Sequence, residues 1–89
     1  MQKVVILGST GSVGQSSLEV IEKNKDKYEI ACLVAFSNED LIKVQAKRHK
    51  KSKIYIEKPR KKFSTKRFLN KDDLLKLISS KDVDTVIAA

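Results

Sequence analysis

The residues with the clearest chemical potential are Gly8-Ser9-Thr10-Gly11-Ser12-Val13-Gly14. Three glycines fall within seven positions, and the whole chain of 89 residues holds only three. A pyrophosphate is held by backbone N–H groups brought close to it, and a Cβ would block that approach. Thr10 and Ser12 add hydroxyl donors at the same place. The stretch therefore reads as a nucleotide phosphate-binding turn, against the plainer reading of a tight strand-to-helix turn and nothing more. Its spacing, G-x-x-G-x-x-G, departs from the G-x-G-x-x-G of the common dinucleotide fingerprint. A P-loop is excluded: Gly14-Gln15-Ser16 lacks the lysine, and Ser9 stands where the first glycine belongs.

The surrounding elements must position that turn. Lys3 to Leu7 is a compact apolar run, suited to a central parallel strand buried on both faces. Val13 to about Asn24 reads as a helix with Val13, Ser17, Val20, Ile21 and Asn24 on one face and Leu18 beside it. Glu19, Glu22 and Lys23 point away, and Asn24 closes the helix in a left-handed conformation. Strand, glycine turn and helix open a dinucleotide-binding βαβ unit.

Tyr28 to Phe36 is the second strand, whose end reads the adenosine ribose in such a unit. An acidic residue there selects NAD, whereas Ser37 and Asn38 are neutral donors that favour NADP; Glu39, just beyond, argues the other way. Ser37 also reads as a helix N-cap, with Asp40 at the capping-box position. A second helix runs from Asn38 to about Lys47, with Leu41, Ile42, Val44 and Gln45 near its apolar side. Ile54-Tyr55-Ile56 is a short third strand. Glu57 to Phe68 reads as a surface loop holding Pro59 and the run Arg60-Lys61-Lys62, with a minor strand around Lys66 to Phe68. Asn70 caps a third helix that carries Asp72 and Asp73 in its first turn, then Leu74, Leu75, Leu77 and Ile78, and ends near Ser80. Asp84 to Ala89 is a fourth strand. The expected fold is α/β, a Rossmann-like open parallel sheet with helices on both faces, incomplete at the C-terminus. A parallel last strand is expected to be buried, and with no loop or helix after it residues 1–89 are expected to be the NAD(P)-binding part of a longer protein.

Composition bounds the function. The chain is 40% apolar and 34% charged, which is globular, and no apolar run reaches the roughly 20 residues of a membrane span. Met1-Gln2-Lys3 leads directly into a strand and leaves no room for a signal peptide, so a cytoplasmic setting is expected. Cys32 lies in an apolar strand pattern and reads as a small core residue. The net charge of +8 raises nucleic-acid binding, but lysines far outnumber arginines, are spread along the chain and do not alternate with aromatic residues. The densest basic run, Lys47 to Lys53, reads as a solvated helix end in preference to an attractor for an anionic cofactor, with His49 unpartnered inside it.

Val5-Ile6-Leu7-Gly8-Ser9-Thr10-Gly11-Ser12-Val13-Gly14, continued by Gln15 to Ile21, closely resembles the opening of the 1-deoxy-D-xylulose 5-phosphate reductoisomerase family, ILGSTGSIG and a following Leu-Asp/Glu-Val helix. The ending Asp82-Val83-Asp84-Thr85-Val86-Ile87-Ala88-Ala89 resembles that family's fourth-strand motif. The match is gapless through Asn38, loose to Asn70, and returns at the end. It implies an NADPH-dependent oxidoreductase of non-mevalonate isoprenoid synthesis, which rearranges and reduces a sugar phosphate to 2-C-methyl-D-erythritol 4-phosphate with Mn or Mg. It also implies a dimer with no nucleic-acid or membrane partner. By position Thr10, Gly11, Ser12, Val13 and Asn38 match the family's cofactor-contacting residues, and Gly8 of the turn and Ser37 at the strand end are read with them; no catalytic or metal-binding residue can be assigned in this chain. Two positions depart from the family, which commonly has Gly and then Lys or Arg where Phe36 and Ser37 stand. The competing readings are another NAD(P)-dependent reductase or dehydrogenase and a non-catalytic nucleotide- or nucleic-acid-binding module.

Overall fold

A computed structural model describes residues 1–60 and 66–89, so Lys61 and Lys62 of the expected basic run lie outside the described residues. The elements follow in the order β1 (Gln2–Leu7), α1 (Ser12–Glu22), β2 (Tyr28–Ala35), α2 (Glu39–Arg48), β3 (Lys53–Ile56), α3 (Lys71–Ile78) and β4 (Thr85–Ala88). The four strands form one parallel sheet in the order β3-β2-β1-β4. The order reverses between β1 and β4, which is the topological switch point of a doubly wound sheet.

Apolar residues on both faces of β1 dictate cover on both sides. Val4 and Ile6 join Leu18 and Ile21 of α1 and Ile42 and Ala46 of α2 on one face. Val5 joins Cys32, Tyr55 and Leu74 of α3 on the other, with Leu7 packed against them. A bulge opposite Val4 and Val5 lets Ala31 and Cys32 share the α3 face, while Ile30 and Leu33 keep to the face of α1 and α2. Asp84 clamps the start of β4 to β1: Lys3 donates its N–H to Asp84 Oδ2 at 2.8 Å, and Asp84 N–H donates to the Lys3 carbonyl at 2.9 Å.

Several expectations are corrected. The buried side of α1 is Gly14, Leu18 and Ile21, while Val13 and Val20 are exposed. Gly14, with no side chain, packs closest to the strand and turns that face inward. Glu22 does not face away but is half-buried against His49, whose Nε2 lies 2.9 Å from Glu22 Oε1, so His49 has a partner. Asn24 is not left-handed. Lys23 closes the helix in the right-handed region, and Asn24 Nδ2 donates to the Val20 carbonyl at 2.8 Å. The N-cap of α2 is Asn38, not Ser37, with Oδ1 accepting from Leu41 N–H at 3.2 Å. The buried side of α2 is Glu39, Ile42, Gln45 and Ala46, and Val44 is exposed; Glu39 is bonded by Arg60, and Gln45 donates Nε2 to the Ser9 carbonyl while its Oε1 has no hydrogen-bond partner among the described residues. The minor strand is a single parallel bridge, Phe68 to Ile54. Asn70 caps α3 as expected, accepting from Asp73 N–H at 2.8 Å.

Cys32 is wholly buried, and burial pushes its thiol from an ordinary value near 9 up to about 12. The unfolded chain therefore releases this proton at lower pH than the folded one, and the stability it contributes falls as pH rises through the window from about 9 to about 12. Iodoacetamide at pH 8.5 should leave the native chain unlabelled and alkylate it readily in urea, as read by mass spectrometry. Rapid native labelling would contradict this packing.

Candidate functional site

The turn after β1 is built by its glycines, each for a different reason. Gly8 has φ +83°, a left-handed conformation that disfavours any Cβ. Gly14 is buried in the first turn of α1, where a Cβ would stand 2.1 Å from the Gly8 carbonyl oxygen and 2.7 Å from Ser9 Cα. No other residue lets the helix come so near the strand exit. Gly11 is different. It is exposed, its φ of −76° and ψ of 170° suit any residue, and a Cβ would make only an ordinary 3.5 Å contact with the Gly8 oxygen. The fold requires Gly8 and Gly14; it does not require Gly11.

The turn is held on the sheet edge from two sides. Gly8 N–H and Ser9 N–H both donate to the Val34 carbonyl of β2, at 2.8 and 2.9 Å. Gln45, buried in α2, donates Nε2 to the Ser9 carbonyl at 2.8 Å. Ser9 is fully buried, and Gln15 Nε2 caps the Thr10 carbonyl at 2.9 Å. Gly11 occupies the N-cap of α1 and has no side chain to cap with, and the first turn carries no acidic residue. The partial positive charge of the helix end and its leading N–H groups are thus left for an external anion. Ser12 and Val13 lie exposed around that end, and Thr10 is half-buried. Ala89 closes the other wall: its N–H donates to the Leu7 carbonyl at 2.9 Å, and its oxygen stands 3.1 Å from where a Gly8 Cβ would be.

The end of β2 adds the second half of the site. Phe36, Ser37 and Asn38 are all exposed there. The Asn38 acceptor is spent on capping α2, which leaves its amide N–H groups as the donors a ligand could use. Glu39, the acid that argued for NAD, is withdrawn. It is 2% exposed, accepts from Arg60 N–H at 2.6 Å and Arg60 Nε at 2.9 Å, and Asp40 takes Arg60 Nη2 at 3.0 Å. Lys58 sits on the same edge, its ammonium 5.5 Å from the centroid of the Phe36 ring. The expected residues Gly8, Thr10, Gly11, Ser12, Val13, Ser37 and Asn38 therefore share one rim, the carboxyl edge of the sheet.

Lys58, Arg60 and Gln45 belong to that rim and went unread as such. Parallel strand ends lie side by side, so residues just past β3 were a legible signal for Lys58. Arg60 and Glu39 stand 21 positions apart, and no local pattern joins them. The basic run Lys47 to Lys53 lies at the opposite edge, from the last turn of α2 to the first residue of β3. A cleft of about 230 Å³ opens there beside Met1, Tyr28, Arg48 and Lys50, but its histidine is engaged by Glu22. Arg67 caps that end of α2 with bonds to the carbonyls of Ala46, His49 and Ser52.

Parallel order and the switch point define the chain as part of a doubly wound α/β protein. More particularly, residues 4–89 match the family model for 1-deoxy-D-xylulose 5-phosphate reductoisomerase, and the chain belongs to that family. The reductoisomerase of Wigglesworthia glossinidia brevipalpis is 36% identical over 101 residues, covering all of this chain and 25% of that protein. That of Actinobacillus pleuropneumoniae serotype 5b is 53% identical over 45 residues, covering 51% and 11%. Among solved structures, a reductoisomerase in complex with magnesium superposes with a TM-score of 0.60 at 28% identity over all of this chain and 20% of that one. The Zymomonas mobilis enzyme in complex with NADPH gives 0.54 at 28% identity over 98% and 21%. The chain spans about a quarter of the length of the curated relatives that it matches throughout.

The glycine assignments predict opposite outcomes for similar changes. Gly14→Ala should cost about 2–4 kcal/mol of stability in urea denaturation, because backbone must move. Gly11→Ala should stay within about 1 kcal/mol of the parent, since its backbone is already ordinary. Equal costs at the two positions would contradict the geometry.

Proposed function

We propose that this chain is the NADPH-binding part of a reductoisomerase acting on 1-deoxy-D-xylulose 5-phosphate. The observation that carries the reading is Gly11, a glycine the fold does not need at the N-terminus of a helix that no side chain caps. A pyrophosphate lying against the backbone supplies the missing reason. In this reading the N–H groups of Ser12 and Val13 bind the pyrophosphate, the Thr10 and Ser12 hydroxyls flank it, Gly11 lets it approach while its own N–H closes the turn onto the Gly8 carbonyl, and Gly8 lets the turn bend beneath it. Ser37 and Asn38 face the adenosine ribose. The similarity to an NADPH complex over 98% of this chain supports the choice of cofactor.

The cofactor, when bound, supplies a hydride. This chain's residues fix its pyrophosphate and so aim the far end of the molecule toward the switch point between β1 and β4. Among the described residues no group of three or more His, Cys, Asp or Glu converges on a point that could hold a metal ion. The divalent metal, Mn or Mg, and the sugar phosphate are read as belonging to the whole enzyme, a reading supported by the likeness to a reductoisomerase in complex with magnesium. The whole enzyme is read as a cytoplasmic homodimer producing 2-C-methyl-D-erythritol 4-phosphate for isoprenoid synthesis. The lone buried thiol suits a reducing compartment. No described helix is long and apolar enough to cross a membrane.

Calorimetric titration with NADPH tests the reading. The parent chain should bind saturably. Gly11→Asp should lose tenfold or more in affinity through like-charge repulsion, about 1.4 kcal/mol per decade, while its melting temperature holds or rises because Asp is a good N-cap. Undiminished NADPH binding by Gly11→Asp would contradict it.

A further inference from the structure

The end of β2 offers no cation of its own to a ribose phosphate, since Phe36, Ser37 and Asn38 are neutral. The neighbouring strand supplies one. The β2–β3 ladder continues past both strands: Glu57 N–H donates to the Ala35 carbonyl at 3.0 Å and Lys58 N–H to the Phe36 carbonyl at 2.7 Å. That pairing fixes the Lys58 backbone beside the residue that precedes Ser37. The ammonium then lies 5.5 Å from the centroid of the Phe36 ring, an attractive cation–π placement. Among the described residues the Lys58 ammonium is in no salt bridge, whereas Arg60 on the same edge is committed to Glu39 and Asp40. Glu39, in turn, is buried with both carboxylate oxygens bonded to Arg60. The rim thus presents a cation in no salt bridge, with Glu39 buried and paired; the exposed Glu57 beside Lys58 accepts from Tyr55 and pairs with Lys71, and Asp40 pairs with Arg60.

We propose that Lys58, carried on the Phe36 ring at the exit of β3, reads the 2′-phosphate of the cofactor and sets the preference for NADPH over NADH. This rests on the dinucleotide reading of the glycine turn. Ser37 contributes a hydroxyl at the same point, and the Arg60–Glu39 pair acts by removing an acid that would repel the phosphate. The exposed Phe36, which stands where the family commonly has a small glycine, becomes the ring that positions Lys58.

The test uses the full chain, titrated with NADPH and separately with NADH, as parent, Lys58→Ala, Lys58→Arg and Phe36→Ala. Lys58→Ala should weaken NADPH roughly tenfold to a hundredfold, the loss of one charge-assisted contact, and leave NADH within about twofold. Lys58→Arg should keep the preference. Phe36→Ala should weaken NADPH less than Lys58→Ala and also spare NADH. Because the Lys58 side chain is exposed, melting temperatures should match the parent. Unchanged discrimination in Lys58→Ala, or equal loss for both nucleotides, overturns the assignment of Lys58 while the dinucleotide reading stands. Failure of the folded parent to bind either nucleotide overturns the dinucleotide reading and this proposal with it.

Discussion

The approach of helix to strand at Gly14 governs the rest. Helix α1 meets the exit of β1 at Gly14, so near the Gly8 carbonyl that one methyl group would fill the gap. That contact sets where the helix begins and hence where its unpaired N–H groups stand. It also forces the chain between the two glycines to loop outward through Thr10 and Gly11. The Val34 carbonyl and Gln45 then hold the loop from beneath, one through the sheet and one through α2. A buried glutamine in a helix interface is costly unless bonded, and its amide here serves the backbone of the turn.

Charge is divided between the two edges of the sheet by the same parallel topology. Every strand points the same way, so helix N-termini and strand ends gather on one rim and helix C-termini on the other. The dense cations of Lys47 to Lys53 fall on the second rim. Their work there is structural: Arg48 and His49 tie α2 to Glu22 of α1, and Arg67 satisfies the last carbonyls of α2. A net charge of +8 is therefore a poor guide to the ligand. Among the described residues, the cations that bear on the candidate site are Lys58 and Arg60.

Most of the architecture was legible because it rests on local pattern. The apolar run of β1, the glycine turn, Asn70 with its acidic first turn and the alternation of elements gave the α/β fold and the two-sided cover of the sheet. What was not legible rests on pairs distant in sequence. Periodicity placed Val13 and Val20 inward because it credits branched apolar residues with burial; Gly14 packs closer than either. His49 was read as unpartnered because Glu22 lies a helix and a strand away. Glu39 was read as a free acid because nothing near it in sequence announces Arg60. The glycine rim itself was found from spacing, but which glycine bears on a ligand became clear only when a Cβ could be placed on each.

The central claim is that anion recognition belongs to the carboxyl rim of the sheet and not to the denser positive charge opposite. Amide chemical shifts in a ¹⁵N-labelled chain titrated with 2′,5′-ADP test it most directly, since this probe carries both phosphates of the adenosine half and nothing else. The account predicts shifts concentrated at Gly8 to Gly14, Ser37, Asn38 and Lys58. Shifts centred on Lys47 to Lys53, with the glycine turn unmoved, would contradict it.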